Sequence, residues 1–557
     1  MATAFTEKQL DNFFKAASSL KLFSRAELSD DKQRSLIERL YVDPLPNEQA
    51  FKTLLSDSTT ILIGRKGTGK STVFQRAQHE IRKNKMNVIS SYMDIRNVYE
   101  SSQVDQVAAE RLEQQQGALS PAQIRQLLLY KRFFTSLIAD IRTELNNQVN
   151  QSFLSRLHDK VRGTSKQVFA GLDRLIAQLD EAEFHDVSGL IQVQRSRKAT
   201  RKNIGKDTVK GGAKASLTNI EVEGGFEMSD EVAQGSETDD AFSEILMRVV
   251  NVNKLIDELR EILTAVEIKY LYIFLDDFSE LPEEAMKVLV DALISPLTRW
   301  SDFIKFKIAA YPGRVYLGSL DTTKLEEFHL DIYRLYGANG VNKMEEKTTD
   351  FVKRIIERRL QHFCKSTPDT YFNIRSDDIW RVLFYCSMGN PRILGHIMLY
   401  AYETHLLYQS KINIQAIRDA AQRYYEEKVL PIFGAAKYRT SFHERSSIYS
   451  LKELLESIVS AARSIRQDER QKEAPSHRGR VYSSHFYVSQ EFEDLLTSLE
   501  LSFFVTKYFE QSDREGRRVS VYALNYGLCN KYQISFGRPA EKREDRLYFV
   551  ERVFDYN

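Results

Sequence analysis

The stretch that decides the fold is Gly64-Arg65-Lys66-Gly67-Thr68-Gly69-Lys70-Ser71, which matches G-x-x-x-x-G-K-[ST] at every fixed position. The apolar, β-branched run before it, Thr59-Thr60-Ile61-Leu62-Ile63, predicts a buried strand. The run after it, Thr72-Val73-Phe74-Gln75-Arg76-Ala77, predicts a helix. Strand, glycine loop and helix in this order are the setting in which the motif binds phosphate. The alternative is a glycine-rich turn that fits the pattern by chance.

The residues of this loop have distinct expected roles. Its three glycines let the backbone turn its N–H groups toward phosphate oxygens at the positive end of the next helix. Lys70 can reach the β- and γ-phosphates of a nucleotide, and the Ser71 hydroxyl can ligate Mg²⁺. The predicted nucleotide-binding set in this loop is Gly64, Arg65, Lys66, Gly67, Thr68, Gly69, Lys70, Ser71 and Thr72.

Composition limits the class of protein. The chain has 557 residues, 42% of them hydrophobic, and this length predicts several domains. It carries 79 basic and 77 acidic residues, so no global charge favours nucleic acid. The three cysteines are widely spaced without a C-x-x-C pattern, which argues against a disulfide framework or a cysteine zinc site. With no signal-peptide pattern and no apolar run near the roughly 20 residues of a membrane span, we expect a cytoplasmic protein without a membrane partner.

The residues upstream of the loop predict short helices and then a break. Apolar residues at helical spacing, among them Leu10, Phe13 and Ala17, predict amphipathic helices within residues 5–40. Pro44 and Pro46 end that pattern. A segment just before a phosphate-binding loop can lie over a nucleotide base, or it can be a plain connector, and both interpretations stay open.

A long insertion follows the second predicted strand, residues 87–94. Helical periodicity over 123–145 and 168–182 predicts a helical hairpin or small bundle. Residues 195–214 then hold eight basic residues against one acid, and residues 215–240 hold eight acids and no base. Alternation near residue 220 suggests a β-hairpin. The basic half could contact nucleic acid, but the reversal of sign favours a solvated insertion whose halves neutralise each other.

A second signal for nucleotide chemistry is the apolar run 269–275, which ends in Asp276 and Asp277. Continuous apolar runs are typical of buried parallel strands, and ligands bind at the carboxyl ends of such strands. Asp276 is expected to hold the hydration shell of Mg²⁺. Asp277 is expected to orient or deprotonate the attacking water, with Glu280 as the substitute for that role.

Two arginines are candidates for contact with the γ-phosphate. Arg314 lies in the turn after the strand predicted over 303–310, where it can stabilise phosphate charge or pair with a surface acid. The run Gly389-Asn390-Pro391-Arg392 breaks and restarts a helix, with Asn390 as cap and Pro391 at the first helical position. Arg392 then projects from the first turn, toward the γ-phosphate or toward an acid of its own helical region.

The C-terminal region predicts a helix over 489–499 and two strands over 503–509 and 517–526, an arrangement like a winged helix. The helix that would enter a DNA groove carries Glu491, Glu493 and Asp494 and no basic residue, which is the wrong charge for that role. The turn between the strands is basic, with Arg514, Arg517 and Arg518, and could touch a phosphate backbone.

Four segments together, GRKGTGKS, FLDD, AAYPGR and GNPR, resemble the AAA+/STAND class of P-loop ATPases, nearest its origin-recognition-like branch. The resemblance covers about residues 40–430. It implies a five-stranded parallel sheet, a helical lid and a winged helix, with ATP and Mg²⁺ as cofactors. It also implies that Lys70 and Ser71 form the Walker A pair and Asp276 and Asp277 the Walker B pair. Arg392 is similar to the lid (sensor 2) arginine, and Arg314 to the arginine after a late core strand in STAND proteins.

Two departures from the class pattern bear on function. Between Ser71 and Asp276 lie 204 residues, far more than a minimal core needs. The second Walker B residue, Asp277, stands where glutamate is commoner, which predicts slow turnover. We expect N-terminal helices in residues 1–40, an ATPase core in 41–335 with an insertion at 95–240, a lid in 336–435 and a winged-helix-like domain in 436–557.

Three functions are compatible with the sequence. The first is an ATP-binding, slowly hydrolysing switch of a regulatory or defence type, in which the ATP or ADP state controls a homo-oligomer or a partner protein. The second is an initiator-like DNA-binding ATPase, favoured by the basic run and opposed by the acidic helix. The third is a nucleotide-binding scaffold that does not hydrolyse ATP.

Overall fold

The fold is taken from a computed structural model of the 557-residue chain. The two charge runs and the β-hairpin predicted within residues 195–240 lie outside the described residues. The structure describes residues 5–21, 36–84, 87–104, 121–150, 158–181, 252–300, 302–318, 320–337, 340–374, 378–433, 448–471, 482–512, 517–539 and 546–550.

The core is a five-stranded, fully parallel sheet with helices packed against it, so the predicted α/β class is confirmed. Its spatial order is β2-β3-β4-β1-β5, which places the first strand between the last two. All five carboxyl ends therefore lie along one edge of the sheet. The strands are β1 (Thr59–Ile63), β2 (Val88–Asp94), β3 (Tyr270–Asp276), β4 (Ile304–Ala310) and β5 (Leu325–His329).

Helices cover both faces of this sheet. On one face, α3 and α4 bury apolar side chains such as Phe51 and Phe74 against Tyr272 and Phe274 of β3. On the other face, the insertion helices α6 and α7 and the following α8 form a large apolar core with β2, β3 and α9. Up to the end of β4, the helices are α1 (Glu7–Ser18), α2 (Ile37–Leu40), α3 (Gln49–Leu54), α4 (Lys70–Asn84), α5 (Ile95–Val104), α6 (Pro121–Asn150), α7 (His158–Glu181), α8 (Val252–Thr264), α9 (Glu283–Leu289) and α10 (Ser295–Trp300).

A helical lid follows the sheet and shares one core with α1 and the C-terminal region. Gly395 in α14 lies so close to α1 that an added Cβ would be 2.7 Å from Leu20 Cβ and 3.0 Å from Ala17 O. The N-terminal helix is therefore packed on the lid. The lid helices are α11 (Ile332–Tyr336), α12 (Val341–Arg359), α13 (Asp378–Ser387), α14 (Pro391–Thr404) and α15 (Ile414–Tyr424).

The C-terminal region contains a small antiparallel sheet in the order β6-β8-β7. Asn525 caps the last described helix by accepting hydrogen bonds from the N–H groups of Gly527 and Leu528. The elements are α16 (Ile448–Gln471), β6 (His485–Ser489), α17 (Thr497–Leu501), β7 (Val505–Ser512), β8 (Arg518–Leu524) and α18 (Tyr526–Lys531). None of the described helices is both long enough and apolar enough to cross a membrane.

The structure differs from the sequence predictions in three elements. Strand β5 was missed because its two glutamates and a histidine resemble a surface loop, whereas it pairs with β1 at the edge of the sheet. Strand β6 lies just before the segment predicted as the helix 489–499 and was not predicted. The single helix predicted over 489–499 is wrong: a 3₁₀ helix (Gln490–Leu496) and the short α17 occupy this segment. Glu493 bonds to Lys507 Nζ (2.6 Å) and to the Ser520 hydroxyl, which holds the segment on the sheet.

Candidate nucleotide site

A cavity of about 630 Å³ lies at the carboxyl edge of the parallel sheet. Its floor is the glycine loop after β1 and the side chains that follow β2, β3 and β4. Its roof is formed by the lid and by Leu40 at the end of α2 with Tyr41, Val42 and Pro44 after it. Because these parts come from four regions of the sequence, only the folded chain brings them together.

The glycine loop has the shape of a phosphate cradle. Gly67 and Gly69 have φ angles of 84° and 101°, which side chains rarely allow. A Cβ added to Gly67 would be 2.7 Å from Arg392 Cβ and 2.8 Å from Asn390 Oδ1, so the lid closes this side of the loop. A Cβ added to Gly69 would meet nothing within 4 Å. The loop is therefore closed by the lid at Gly67 and open at Gly69.

Helix α4 begins at the end of this loop. Its first backbone hydrogen bond runs from Val73 N to Gly69 O at 2.9 Å. The N–H groups of Lys70, Ser71 and Thr72 precede that bond, and such groups at a helix N-terminus attract anions. All three residues line the cavity. Seven of the nine predicted loop residues, Lys66 to Thr72, thus line one pocket, whereas Gly64 and Arg65 do not.

Lys70 is buried and reaches back over the loop. Its Nζ donates to Gly64 O at 2.6 Å and to Arg65 O at 3.0 Å, and lies 4.4 Å from the ring centre of Tyr311. Burial lowers the pKa of Lys70 to about 8, against the opposing effect of carboxylates, of which Asp276 is the strongest. The nitrogen is thus held by carbonyls that a phosphate oxygen could replace.

The carboxylate of Asp276 is positioned by two donors. Tyr92 OH lies 2.5 Å from Asp276 Oδ2, and Asp277 N lies 2.9 Å from Asp276 Oδ1. Asp94 ends β2 directly beside Asp276 in the register of the sheet, and both line the cavity with Ser71. Carboxylate and hydroxyl oxygens are the ligands that Mg²⁺ prefers, so this donor set suits the predicted ion.

The two candidates for orienting water have different settings. Asp277 has a left-handed backbone, with a φ angle of 55°, and its side chain lines the cavity. Glu280 also lines the cavity, but its Oε1 accepts from Tyr311 OH at 2.7 Å and lies 3.5 Å from Lys66 Nζ. Glu280 is therefore fixed by donors from β4 and the glycine loop.

Arg314 lies behind the carboxylates. Its Nε donates to Ser279 O at 3.0 Å and its guanidinium also reaches Leu281 O at 3.4 Å. In the described part of the chain, Arg314 is not among the residues that line the cavity. These two hydrogen bonds show that Arg314 holds the loop after Asp277. Its contact with the γ-phosphate stays a prediction.

The lid touches the glycine loop through Asn390. Its Oδ1 accepts from Arg392 N at 3.0 Å and from Ile393 N at 3.3 Å, which makes it the cap of α14 as predicted. Its Nδ2 donates to Lys66 O at 2.9 Å. Arg392 lines the cavity and lowers the pKa of Lys70, so the two cations face the same space. The side chain of Asn390 thus joins the N-terminus of α14 to the glycine loop.

Arg65 turns away from the cavity and toward the C-terminal sheet. Its Nε lies 3.1 Å from Asp331 Oδ1, and its NH1 donates to Thr506 Oγ1 on β7 at 2.9 Å. Nearby, burial raises the pKa of Glu500, and Arg65 acts in the opposite direction. Arg65 therefore links the glycine loop to the C-terminal region and does not line the cavity.

Several residues of this site were not found by sequence reasoning. Tyr92, Asp94 and Tyr311 each lie at or near the carboxyl end of a parallel strand. The same rule that identified Asp276, a polar residue at the end of a buried run, could have identified Asp94. Arg359, at the end of α12, had no such signal because it reaches the cavity only through the placement of the lid.

In the described part of the C-terminal region, several charged side chains that could face a nucleic acid are paired with other residues of the fold. Glu493 pairs with Lys507, and Glu500 accepts from Lys507 N at 3.0 Å, so these acids have structural contacts. Arg518 pairs with Glu510 on the neighbouring strand. Arg514 and the basic run 195–214 lie outside the described residues.

Comparison with known proteins finds a likeness among solved structures but none among family models or curated sequences. No protein-family model matches the chain, and no curated protein sequence matches it. Among solved structures, it is similar to Cdc6p from Pyrobaculum aerophilum, at 11% sequence identity and a TM-score of 0.31. The match covers 89% of this chain and 97% of that one. The assignment of the fold therefore rests on the parallel sheet and the glycine loop.

Proposed function

We propose that this protein binds ATP with Mg²⁺ in the cavity, hydrolyses it slowly, and acts as a switch controlled by its nucleotide state. The observation that carries the proposal is the meeting of Lys70, Ser71, Asp276 and Arg392 around one pocket. Each has the chemistry that a nucleoside triphosphate requires: a cation, a hydroxyl at a helix start, a carboxylate and a second cation.

We expect the residues of the cavity to have separate roles in hydrolysis. Lys70 would leave the carbonyls of Gly64 and Arg65 and bind phosphate oxygens. Ser71 and Asp276 would hold Mg²⁺, which when bound neutralises phosphate charge. Asp277 would orient the attacking water, and a shorter aspartate in this place is the basis for expecting a rate below the enzyme median of about 10 per second.

Two contacts support a switch rather than a simple hydrolase. Asn390 joins the lid to the glycine loop, and Arg65 joins the same loop to β7. A loop that moves when phosphate binds would shift both attachments, and only such a difference between states can couple binding to conformation. The output of the switch, through a homo-oligomer or a partner protein, rests on the resemblance to AAA+/STAND proteins.

Lys70→Ala tests the proposal most directly. The lysine would make charge-assisted hydrogen bonds to two phosphates, so we expect its loss to weaken MgATP binding about 100-fold and to abolish turnover. Calorimetric titration with MgATP and a phosphate-release assay measure both quantities. Lys83→Ala, on the exposed side of the same helix, is the control and should behave as the parent. Parent-like affinity and turnover in a folded Lys70→Ala protein would refute the site.

A further inference from the structure

The cavity has a second end that the phosphate chemistry does not use. It is lined by apolar side chains from α12 and from the N-terminal residues, namely Leu20, Leu40, Val42, Phe351 and Ile355. Phe351, Ile355 and Arg359 are four residues apart on α12 and therefore share one face of the helix. Apolar side chains beside the guanidinium of Arg359 suit the flat ring of a base.

Arg359 is buried beside a second arginine, Arg358. It is 6% exposed, and its NH1 donates to the backbone carbonyl of Leu40. Within the described ranges, its Nε has no hydrogen-bond partner. Burial, and then the neighbouring Arg358, lowers the pKa of Arg359 to about 10. A buried donor without a partner costs stability, so a ligand that supplies an acceptor gains affinity.

Arg359 lies far from the phosphate loop along α12. Thr348, on the same helix, is 2.9 Å from a Cβ added to Gly389, next to the Asn390 that bonds to the loop. Arg359 follows Thr348 by eleven positions, which is roughly 16 Å along the helix at about 1.5 Å per residue. A nucleotide anchored by its phosphates at the loop would therefore present its other end to Arg359.

We propose that Arg359 donates a hydrogen bond to an acceptor on the base of the bound nucleotide and so selects for the base. The inference rests on the proposed nucleotide site. A guanidinium has only donors and stays charged, so the ligand atom it meets must be an acceptor, such as a purine ring nitrogen. The cavity would then have a phosphate end, where Lys70 binds the phosphates, and a base end, where Arg359 binds the base.

The test compares two ligands, MgATP and magnesium tripolyphosphate, by calorimetry on the full chain. Tripolyphosphate has the phosphates and no base. We expect Arg359→Met to weaken ATP binding at least about tenfold and to leave tripolyphosphate binding unchanged, because a hydrogen bond from a charged donor is lost. Arg358→Met, which removes the exposed neighbouring arginine, is the matched control. Equal weakening of both ligands, or of neither, overturns the proposal.

A second measurement uses the unaltered protein, because Arg359→Met could fail to fold. ATP analogues in which one ring nitrogen, N1, N3 or N7, is replaced by carbon remove one acceptor at a time. One of the three should bind at least about tenfold more weakly than ATP, and parent-like binding of all three contradicts the proposal. If neither ATP nor tripolyphosphate binds the parent protein, the nucleotide site itself fails, which is a different result.

Discussion

Each end of the cavity holds a buried cation, and the two cations have different neighbours. Lys70 is surrounded by carbonyls and by the carboxylates of Asp276, Asp277 and Asp331, which raise its pKa against the effect of burial. Arg359 has one carbonyl and a neighbouring arginine. The charge of Lys70 is thus compensated before a ligand arrives, whereas in the described part of the chain the Nε of Arg359 has no partner. This difference is the reason why we propose a chemical role for Lys70 and a role in base selection for Arg359.

The largest expected effect is on turnover at the phosphate end. Asp277→Asn keeps the size of the side chain and removes its charge, so the attacking water loses its orienting base. We expect turnover to fall about 100-fold while ATP affinity stays as in the parent. Steady-state phosphate release and calorimetric titration measure the two quantities.

Glu280→Gln is the matched variant for that comparison. Since Tyr311 and Lys66 already hold the Glu280 carboxylate, we expect the smaller loss of turnover here. If Glu280→Gln slows hydrolysis more than Asp277→Asn does, the two acids exchange roles. If neither variant changes the rate, the assignment of the water-orienting group at this end is wrong.

The next effect is a pH dependence that should separate the two ends. The pKa of Lys70 is about 8, below its ordinary 10.5, so in the free protein this lysine loses its proton above pH 8. Because phosphate binds the charged form, ATP affinity should fall by up to about tenfold per pH unit above 8, with proton uptake on binding. Arg359, with a pKa of about 10, should stay charged until well above that range.

The sign for folding stability is the opposite. A lysine whose pKa is lowered in the folded state destabilises the protein below pH 8, where it is charged in both states. The free energy of unfolding of the unbound chain should therefore rise between pH 8 and pH 10.5 because of this group.

Calorimetry of ATP binding at pH 8.5, in two buffers with different heats of ionisation, measures the proton uptake on binding. Lys70→Arg stays charged and is the control. Equal proton uptake in Lys70→Arg and the parent would show that another group titrates.

The smallest effect is expected at the lid. Arg392 lines the cavity from the first turn of α14. The contact that we propose for it, with the γ-phosphate, would exist only with ATP. Arg392→Ala should therefore weaken ATP about fivefold to tenfold and leave ADP affinity unchanged. Arg381→Ala removes an exposed arginine of the same lid and serves as control. Loss of both affinities, or of neither, leaves Arg392 with a structural role only.

Much of the site could be predicted because its chemistry is local in the chain. The glycine loop, the strand before it and the carboxylates after β3 lie in short runs whose spacing follows from backbone geometry. Asn390 was predicted as a helix cap for the same reason. Its second bond, to Lys66 O, could not be predicted, because it depends on how the lid packs on the core.

The errors in the fold have a common cause. Strand β5 carries Glu326 and Glu327. Because the strand lies at the edge of the sheet, these charged side chains are not fully buried. In the segment predicted as a recognition helix, Glu493 bonds to Lys507 and Ser520 of the antiparallel sheet instead of lying on a free helical face. In both places local pattern and tertiary contact disagree, and the tertiary contact decides.

By itself, the sequence determined the phosphate loop, the strand-end carboxylates and the α/β class, because each follows from residue type and short-range spacing. The tertiary structure alone decided that Arg65 reaches Thr506, that Tyr311 joins Lys70 to Glu280, and that Arg359 lines the cavity. These contacts join residues tens to hundreds of positions apart. No local period or motif encodes such pairs, because they form only when separate helices and strands pack on one another.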